Sequence, residues 1–575
     1  MTEAESARRP RWLALLPGLL AASLGLWLIV RPFASLALFL SVIAAGLAIT
    51  GVSKLTDDQP TVISRALGAV WIALGITVRA WPDLTVRWLT LIVAGYLIVD
   101  GMGDIWDGVR ARTDQRLASI VMGVATVMFG VLALTWRDVT VLVVALVFAV
   151  RLVAFGIGRV VNTLLARPKS EGEAPPGPLR RWAKAIGSVG ALVLAGVLAL
   201  VSSALNDGRP VVDEFYAAPG SVPDEPGALL RQESFDRGIP DDAVAWRILY
   251  TTTRDEGRPA LASAIVVAPH RDTDGPRPVI AWAHGTTGVA EPCAPSVLEG
   301  TFSTGAFFTV EEVVDEGWVL VATDYVGLGT EGPHPYLIGQ GQGRSVLDAV
   351  RAARRMEGLD LDDRTVVWGH SQGGHAALWT GALGPSYAPD VNLIGVAALA
   401  PAADVIGLMG NLPTVTGGNI FAAYAISAYS EAYEDVHIAD YVVPGGQLTV
   451  EEIASRCLSE PAVFTSLLSS LAIRFAVFDE DLTDGPLAQR LVANTPPFTV
   501  EAPLLLAQGG ADSLIEADVQ DRYVESMCSA GRQVDYRTYE GMDHVPLVEP
   551  DSPLIPELFE WTHARLNGEN PFSTC

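Results

Sequence analysis

A serine between two glycines follows a β-branched run and is the first candidate for catalysis in this chain. Residues 365–374 read Thr-Val-Val-Trp-Gly-His-Ser-Gln-Gly-Gly, which contains Gly-x-Ser-x-Gly centred on Ser371. This pattern is typical of a nucleophile elbow, where the serine occupies a strained turn between a strand and a helix. Gly369 and Gly373 supply the clearance that the turn needs. Ser371 is therefore the predicted nucleophile, and the alternative is chance, since the chain has 55 glycines.

An acid and a base follow at the ends of later predicted strands, in the order serine, aspartate, histidine. Asp512 comes after the apolar run 502–508, and His544 comes after the run 534–539. A serine hydroxyl needs a base to take its proton at neutral pH, the role predicted for His544. Asp512 is predicted to hold the other imidazole nitrogen. Asp543 is a rival acid, disfavoured because a side chain adjacent to His544 in sequence reaches its ring poorly.

Two backbone N–H groups are predicted to hold the oxyanion of an acyl-transfer reaction. One belongs to Gln372, which follows the nucleophile, and the other belongs to Thr286, which follows the apolar run 279–283. His284 is expected to organise the second of these loops. Four other histidines are expected to be ordinary loop or surface residues: His270, His334, His437 and His563. No histidines cluster with carboxylates or thiolates at ligand spacing, so neither a metal nor a cofactor is predicted.

Short apolar segments alternate with helical stretches throughout the C-terminal part, which predicts a mostly parallel sheet. The predicted elbow follows the fifth of them. The segments are 246–251, 261–268, 278–283, 318–323, 365–369, 392–399, 502–508 and 534–539.

The first third of the chain is too apolar for a soluble domain. The mean hydropathy of the whole chain is +0.33, and only 18% of its residues are charged. Stretches of about 20 apolar residues are long enough to cross a bilayer. Seven spanning helices are predicted, over 12–30, 33–52, 63–80, 84–102, 117–136, 139–160 and 185–205.

The lysines and arginines of the loops predict how these helices are oriented, because cytoplasmic loops carry the basic excess. The basic side includes the N-terminus and the linker 166–184, so the N-terminus is predicted to be cytoplasmic. Seven crossings then place everything after about 206 outside the cell. The alternative for the first segment is a cleaved signal peptide, which the spans that follow it disfavour.

The cysteines and the charge agree with an exported C-terminal part. All four cysteines lie beyond the last predicted span: Cys293, Cys457, Cys528 and Cys575. An even number in an exported domain predicts two disulfides, and sequence alone leaves three pairings open. The net charge of -26 argues against a nucleic-acid partner.

The apolar part contains a threefold repeat of helical hairpins. Glycine pairs recur at one interval in the odd segments, which indicates close helix packing: Gly18 and Gly25, Gly68 and Gly75, Gly123 and Gly130. The pattern resembles the HdeD-type acid-resistance membrane proteins over about 12–165. Arg151 falls inside the sixth predicted span, where a charge is costly, and Asp100 is its predicted partner.

The C-terminal motifs taken together resemble the secretory lipases of the fungal lipase A type, over about 225–575. They are His284-Gly285-Thr286, Cys293-Ala294-Pro295-Ser296, Asp324-Tyr325, Gly327-Leu328-Gly329, the elbow at 369–374, Ala400-Pro401-Ala402, Gly510-Ala511-Asp512 and Asp543-His544. The resemblance implies an α/β-hydrolase with a helical cap over about 403–498 covering an acyl-binding tunnel. It also implies disulfides pairing Cys293 with Cys457 and Cys528 with Cys575. The apolar and aromatic content of the cap suits an acyl chain.

The sequence therefore predicts a membrane-tethered, extracytoplasmic lipase or esterase whose substrate is a lipid or small ester. Its predicted parts are a six-helix membrane domain over 1–165, a cytoplasmic linker over 166–184, a seventh helix over 185–205 and a hydrolase domain over 206–575. The membrane bundle could support an oligomer. Two alternatives stay open: an acyltransferase on the same triad, and an acid-stress membrane module with the hydrolase as an accessory.

Overall fold

The computed structural model describes most of the chain, which forms two compact units. One unit is built on the chain up to residue 207 together with 442–452 and 471–479, and the other on the remainder. Those two short segments belong to the predicted cap but group with the first unit. The described residues are 11–56, 62–110, 116–165, 178–206, 210–270, 275–459, 463, 466–467, 477–478 and 481–575.

The first unit contains seven long helices, each of which covers most or all of one predicted span. They are α1 (Arg11–Ile29), α2 (Pro32–Leu55), α3 (Val62–Ala80), α4 (Pro82–Arg110), α5 (Arg116–Thr135), α6 (Arg137–Leu165) and α7 (Pro178–Asn206). Among the described residues, five of them (α2, α4, α5, α6 and α7) are long and apolar enough to cross a membrane, and α1 is apolar over the shorter stretch Leu15–Ile29. Proline begins α2, α4 and α7, where its fixed φ suits the first helical turn and its missing N–H costs nothing.

Glycines bring these helices together in pairs that join successive repeats, rather than the two helices of one hairpin. A Cβ on Gly51 of α2 would lie 2.6 Å from the carbonyl oxygen of Gly68 in α3, and a Cβ on Gly101 of α4 would lie 2.6 Å from that of Gly123 in α5. The first and last repeats meet in the same way. A Cβ on Gly18 of α1 would lie 2.9 Å from the Gly156 carbonyl oxygen in α6. The repeats therefore close into a ring through backbone contacts that only glycine permits.

The predicted pairing of Arg151 with Asp100 is not found. Both residues lie on exposed surfaces of their helices, and in the described part of the chain no ion pair joins them. Their positions on α6 and α4 direct both side chains outward, away from the glycine-lined helix contacts.

The second unit is organised around one nine-stranded sheet in the described chain, with the order β1-β2-β3-β5-β4-β6-β7-β8-β9. The strands from β4 to β9 run parallel, while β1, β2 and β3 extend the sheet in antiparallel fashion. Their bounds are β1 (Leu229–Phe235), β2 (Ala243–Thr253), β3 (Pro259–Pro269), β4 (Arg277–Ala283), β5 (Val319–Thr323), β6 (Leu361–His370), β7 (Asn392–Leu399), β8 (Leu504–Gly509) and β9 (Asp535–Tyr539). The α/β fold with a mostly parallel sheet is confirmed.

All eight predicted strand segments overlap observed strands, and β1 is the strand that the sequence analysis missed. It lies at the edge of the sheet, pairs only with β2, and carries Arg231, Gln232 and Glu233 in succession. An edge strand exposed in this way lacks the apolar run by which the central strands were recognised.

Helices cover both faces of the sheet. Alternate side chains of β4 point to opposite layers, with Ala281 in the core beneath α9 and α10, and Trp282 in the core beneath α8 and α16. The remaining helices are α8 (Val310–Asp315), α9 (Gly339–Ala353), α10 (Gln372–Tyr387), α11 (Val405–Asn411), α12 (Gly418–Ala432), α13 (Gln447–Ala454), α14 (Gly485–Ala493), α15 (Ala517–Ser529) and α16 (Leu554–Leu566). Short 3-10 helices occupy Glu214–Tyr216, Asp255–Gly257, Glu291–Cys293, Ser303–Gly305, Leu412–Thr414, Ile438–Asp440 and Pro546–Val548.

Two disulfides close the second unit, in the pairing that the family resemblance implied. Cys293 pairs with Cys457, and Cys528 pairs with Cys575. The first joins the loop after β4 to the cap insertion, which lies between β7 and β8. The second joins α15 to the segment after α16.

Candidate active site

The predicted elbow turns sharply between β6 and α10. Ser371 has φ 60° and ψ -119°, a strained conformation for a residue with a side chain. A Cβ on Gly369 would overlap the carbonyl of Gly373, and one on Gly373 would overlap the carbonyl of Ala283. Both glycines are therefore required by contact. The Ser371 N–H donates to the Leu399 carbonyl at 2.9 Å, which ties the turn to β7.

Sheet register brings the acid and base loops together beside this turn. Gly509 of β8 lies opposite Tyr539 of β9, so the loops that follow these two strands are neighbours. In them, His544 Nδ1 lies 2.7 Å from Asp512 Oδ2. The Asp512 side chain is fully buried, and that of His544 is 10% exposed. Because the carboxylate accepts at Nδ1, this nitrogen carries the proton and Nε2 is left as the acceptor.

The second oxygen of Asp512 and the second ring nitrogen of His544 are arranged in keeping with these roles. Asp512 Oδ1 accepts the backbone N–H of Leu514 at 2.9 Å and that of Ile515 at 2.8 Å, which fixes the carboxylate. His544 Nε2 is buried and has no hydrogen-bond partner among the described residues. Nε2 is thus free to accept a proton.

Asp543, the rival acid, occupies a different position. Its Oδ1 accepts the backbone N–H of His544 at 2.8 Å and that of Ser513 at 3.0 Å. The hydrogen bond from Ser513 is the main reason why the pKa of Asp543 lies below its usual value. Asp543 therefore joins the loop of the acid to the loop of the base, and Asp512 alone of the two contacts Nδ1.

The predicted oxyanion donors flank Ser371. Gln372 is the first residue of α10, so its N–H has no carbonyl partner one turn earlier in the helix. Thr286 lies in the loop after β4, which the pairing of Ala283 with Gly369 places beside the elbow. Thr286 and Ser371 line the same cavity.

The prediction for His334 is wrong in one respect, because this loop residue is buried and is not an ordinary loop or surface histidine. It is 2% exposed, and burial lowers its pKa to about 3. Its ring Nε2 lies 3.0 Å from the side-chain nitrogen of Gln372, while the neighbouring Tyr336 hydroxyl lies 3.0 Å from Thr286 Oγ1. The sequence analysis missed both residues. The apolar run 336–338 that follows His334 is the signal of burial that was available.

The other histidines lie as the sequence suggested. His284 is buried, with Nδ1 at 2.7 Å from the Gly285 carbonyl oxygen and Nε2 at 3.3 Å from that of Asp324, so it organises the loop. Burial lowers its pKa to about 4. His270 and His437 are exposed and His563 is partly exposed.

A cavity of about 370 Å³ opens beside Ser371 and His544. Its remaining surface is mainly apolar and includes Phe308, Val415, Phe421, Leu458, Leu514, Val545 and Pro546. Phe421 is an aromatic residue of the predicted cap that lines this cavity. Others serve to pack the cap, since Tyr424 and Tyr429 are fully buried and donate their hydroxyls to the backbone carbonyls of Arg456 and Leu337.

Comparison with known families assigns the two parts of the chain separately. The family described as secretory lipase matches residues 294–574. The family described as a short repeat of unknown function, DUF308, matches three times, over 16–58, 66–124 and 121–176. The threefold repeat in the helical part is thereby confirmed.

Curated relatives and solved structures resemble the C-terminal part. Lipase A of Moesziomyces aphidis is 24% identical over 421 residues, covering 68% of this chain and 89% of that protein. The secreted triacylglycerol lipase LIP3 of Malassezia globosa is 26% identical over 407 residues, covering 66% and 86%. The X-ray structure of Candida antarctica lipase A in its closed state aligns with a TM-score of 0.53 at 21% identity, over 64% of this chain and 88% of that one. At such identity the structural likeness establishes the fold.

Proposed function

We infer from the match of residues 294–574 to the secretory lipase family that this chain is a carboxylic ester hydrolase that works through Ser371, His544 and Asp512. The observation that carries the proposal is the 2.7 Å contact between His544 Nδ1 and the buried Asp512. This contact leaves Nε2 of His544 without a hydrogen-bond partner among the described residues, and His544 and Ser371 line the same cavity.

The reaction follows from the roles of these atoms. His544 Nε2 takes the proton of the Ser371 hydroxyl as Oγ attacks the ester carbonyl, and the imidazolium that forms is stabilised by Asp512. The backbone N–H groups of Thr286 and Gln372 hold the oxyanion. Collapse of the tetrahedral intermediate expels the alcohol, which His544 protonates, and leaves an acyl group on Ser371. Water activated by His544 then releases the acid.

An ester with an apolar acyl group suits the cavity best. Its wall carries Phe308, Phe421 and Leu458, and about 370 Å³ is room for a moderate chain. A second space beside Ser371, lined in part by Leu408 and Leu412, measures only about 10 Å³, which is room for about one water molecule. The main cavity is therefore the proposed acyl site.

Membrane attachment is proposed from the apolar helices before residue 207. Five of the described helices have the length and composition to cross a bilayer. The secretory lipase match and the two disulfides fit an extracytoplasmic hydrolase. With the basic loops facing the cytoplasm, the proposed topology has a cytoplasmic N-terminus and an external active site.

A fluorophosphonate probe on membranes that contain the full chain tests the catalytic assignment. Wild type should be labelled and should hydrolyse a short nitrophenyl ester, while Ser371→Ala should do neither. Ser303→Ala is the matched control, because Ser303 also lines the cavity but lies outside the proposed triad. Labelling of the Ser371→Ala chain equal to that of wild type would refute the proposal.

Topology is tested separately on intact spheroplasts. An external protease should release fragments of the hydrolase unit while the basic segment 166–184, predicted to be cytoplasmic, stays intact. Protection of the hydrolase until lysis would place it inside the cell.

A further inference from the structure

One short segment contacts the side chains of both proposed oxyanion donors. Tyr336 places its hydroxyl 3.0 Å from Thr286 Oγ1. Two residues earlier, His334 places Nε2 3.0 Å from the side-chain nitrogen of Gln372. Thr286 lies in the loop after β4 and Gln372 begins α10 after β6, so residues 334–336 bridge two sides of the oxyanion site that are far apart in sequence.

The tautomer of His334 follows from its surroundings. Its Nδ1 lies 3.1 Å from the Val326 carbonyl oxygen, which can only accept, so Nδ1 carries the proton. Nε2 is then the acceptor for the N–H of the Gln372 side chain. The low pKa of about 3, caused by burial, keeps His334 neutral at the pH where an ester hydrolase works. A protonated His334 would turn a donor toward Gln372 and break the contact.

Gln372 depends on this contact. Its side-chain oxygen is buried and has no partner among the described residues, so the hydrogen bond to His334 is what orients the amide. Gln372 is 1% exposed and lines the small space next to Ser371. Without His334, the amide would have to turn to find a partner, and Ser371 and Thr286 line the same small space.

Tyr336 acts on the other donor in the same way. It is 3% exposed, and burial raises its pKa well above the usual value, so the hydroxyl stays protonated. The Thr286 side chain is branched at Cβ, so few χ1 rotamers are open to it, and the contact at Oγ1 selects one of them. The segment is itself held, because the Leu337 carbonyl accepts from the Tyr429 hydroxyl at 2.8 Å.

We propose that His334 and Tyr336 are positioning residues for the oxyanion hole, which hold the backbone N–H groups of Gln372 and Thr286 toward the carbonyl oxygen of the ester. The proposal rests on the function proposed above. Since the two residues touch the donors and not the substrate, they should matter for the transition state more than for substrate binding.

The test uses the full-length chain and compares His334→Leu, His334→Gln and Tyr336→Phe. His334→Leu removes the acceptor at similar volume and should lower kcat about 10- to 100-fold with KM changed less than about twofold. His334→Gln returns an acceptor near the position of Nε2 and should restore most of kcat. Tyr336→Phe should lower kcat about tenfold. Binding of a trifluoromethyl ketone, whose adduct with serine carries an oxyanion, should weaken in proportion to kcat.

Tyr523→Phe is the control, because Tyr523 is another buried tyrosine that loses one hydrogen bond, to the Pro496 carbonyl, and it does not line the cavity. Its kcat should equal that of wild type.

If wild type is active and kcat is unchanged in both His334→Leu and Tyr336→Phe, the inference is overturned and the proposed function stands. A loss that His334→Gln fails to restore, or that appears in KM alone, would also overturn it. If His334→Leu does not fold, the kcat of Tyr336→Phe alone tests the inference, and an unchanged value overturns it. An inactive wild type that resists the fluorophosphonate would refute the proposed function first.

Discussion

The helical unit and the hydrolase unit solve the problem of close contact in opposite ways. Helices of successive repeats approach through glycines, such as Gly101 against Gly123, where the absence of a side chain lets backbone meet backbone. In the hydrolase, close contact is made by polar side chains that are buried with a partner, as in Asp512 with His544 and His334 with Gln372.

The two units also differ in their histidine content and therefore in their expected response to acid. All eight histidines of the chain lie beyond residue 269, and five of them are buried in or around the candidate active site: His284, His334, His370, His375 and His544. The helical unit therefore contains no histidine, whereas burial lowers the pKa of several histidines of the hydrolase. Function and vulnerability to acid should be concentrated in the hydrolase, and tolerance of side-chain size should be lowest at the helix contacts.

The largest effect is expected at the acid of the triad. Asp512→Asn keeps the shape but offers His544 Nδ1 the wrong hydrogen-bonding partner, so kcat for a nitrophenyl ester should fall by about 10⁴. Asp543→Asn should cost much less, because Asp543 joins two loops without contacting the ring. Equal losses in the two variants would show that Asp512 is not the acid.

The second effect is a loss of hydrolase stability in acid. Burial depresses the pKa of His284 and His375 to about 4 and that of His334 to about 3. The unfolded chain binds these protons below pH 6.5 and the folded chain does not, so stability is full above pH 6.5 and falls as the pH approaches 4. Each histidine should contribute about 1.4 kcal/mol per pH unit.

Hydrogen exchange followed by mass spectrometry on the full chain can measure this effect in each unit separately. Peptides of the hydrolase core should lose protection between pH 6.5 and 5, after correction for the intrinsic rate. His375→Gln should reduce the slope of the unfolding free energy against pH by about the contribution of one histidine. His270→Gln should leave this slope unchanged, since His270 is exposed. A hydrolase whose protection is flat over this range would contradict the prediction.

The third effect tests the glycine contacts. Gly101→Leu puts a side chain where the Gly123 carbonyl oxygen lies 2.6 Å from the Cβ position, so the helical unit should lose about 1–3 kcal/mol. Gly103→Leu is a matched control two residues along the same helix, with nothing within 4 Å of its Cβ position. The melting temperature of the detergent-solubilised chain should fall only for the first. Similar melting of both variants would argue against packing of α4 on α5.

The smallest expected effect is a gain in stability when the nucleophile is replaced by glycine. Ser371 has φ 60°, a conformation that glycine adopts without strain, so Ser371→Gly should abolish activity and raise the stability of the hydrolase by about 1 kcal/mol. Ser371→Ala should abolish activity without that gain. Chemical denaturation of both variants checks the difference, and identical stabilities would show that the turn stores no strain.

The parts of this molecule that sequence predicted best are those that repeat a local rule. Parallel strands buried on both faces are continuous apolar runs, and each of the eight predicted segments overlaps a strand. The triad residues stand at strand ends in a fixed order, which is why the contact of Asp512 with His544 could be anticipated. The structure describes that contact, while its catalytic use stays a proposal.

What sequence left open depends on contacts between distant segments. The apolar run 336–338 indicates burial near His334, but the contacts of His334 with Val326 and Gln372 join segments whose proximity only the fold defines. The edge strand β1 is polar because one side of it faces solvent. The glycine intervals predicted close packing of helices, but only the three-dimensional arrangement shows that α6 meets α1 and that the repeats form a ring. The prediction that Arg151 pairs with Asp100 was wrong. The position of a residue within a predicted span indicates its depth in the membrane, but it does not give the direction of the side chain around the helix axis.

The disulfides divide the hydrolase into covalent rings that matter once proteases are present. The bridge from Cys293 to Cys457 joins residues 164 positions apart and encloses Ser371, and the bridge from Cys528 to Cys575 encloses His544. A single cut inside either ring leaves both new ends attached to one molecule. A cut between 457 and 528 is different, because no bridge spans that stretch, and it would separate the ring with the nucleophile from the ring with the base. If the hydrolase faces the outside as proposed, its resistance to proteases depends on how well those 70 or so residues are shielded.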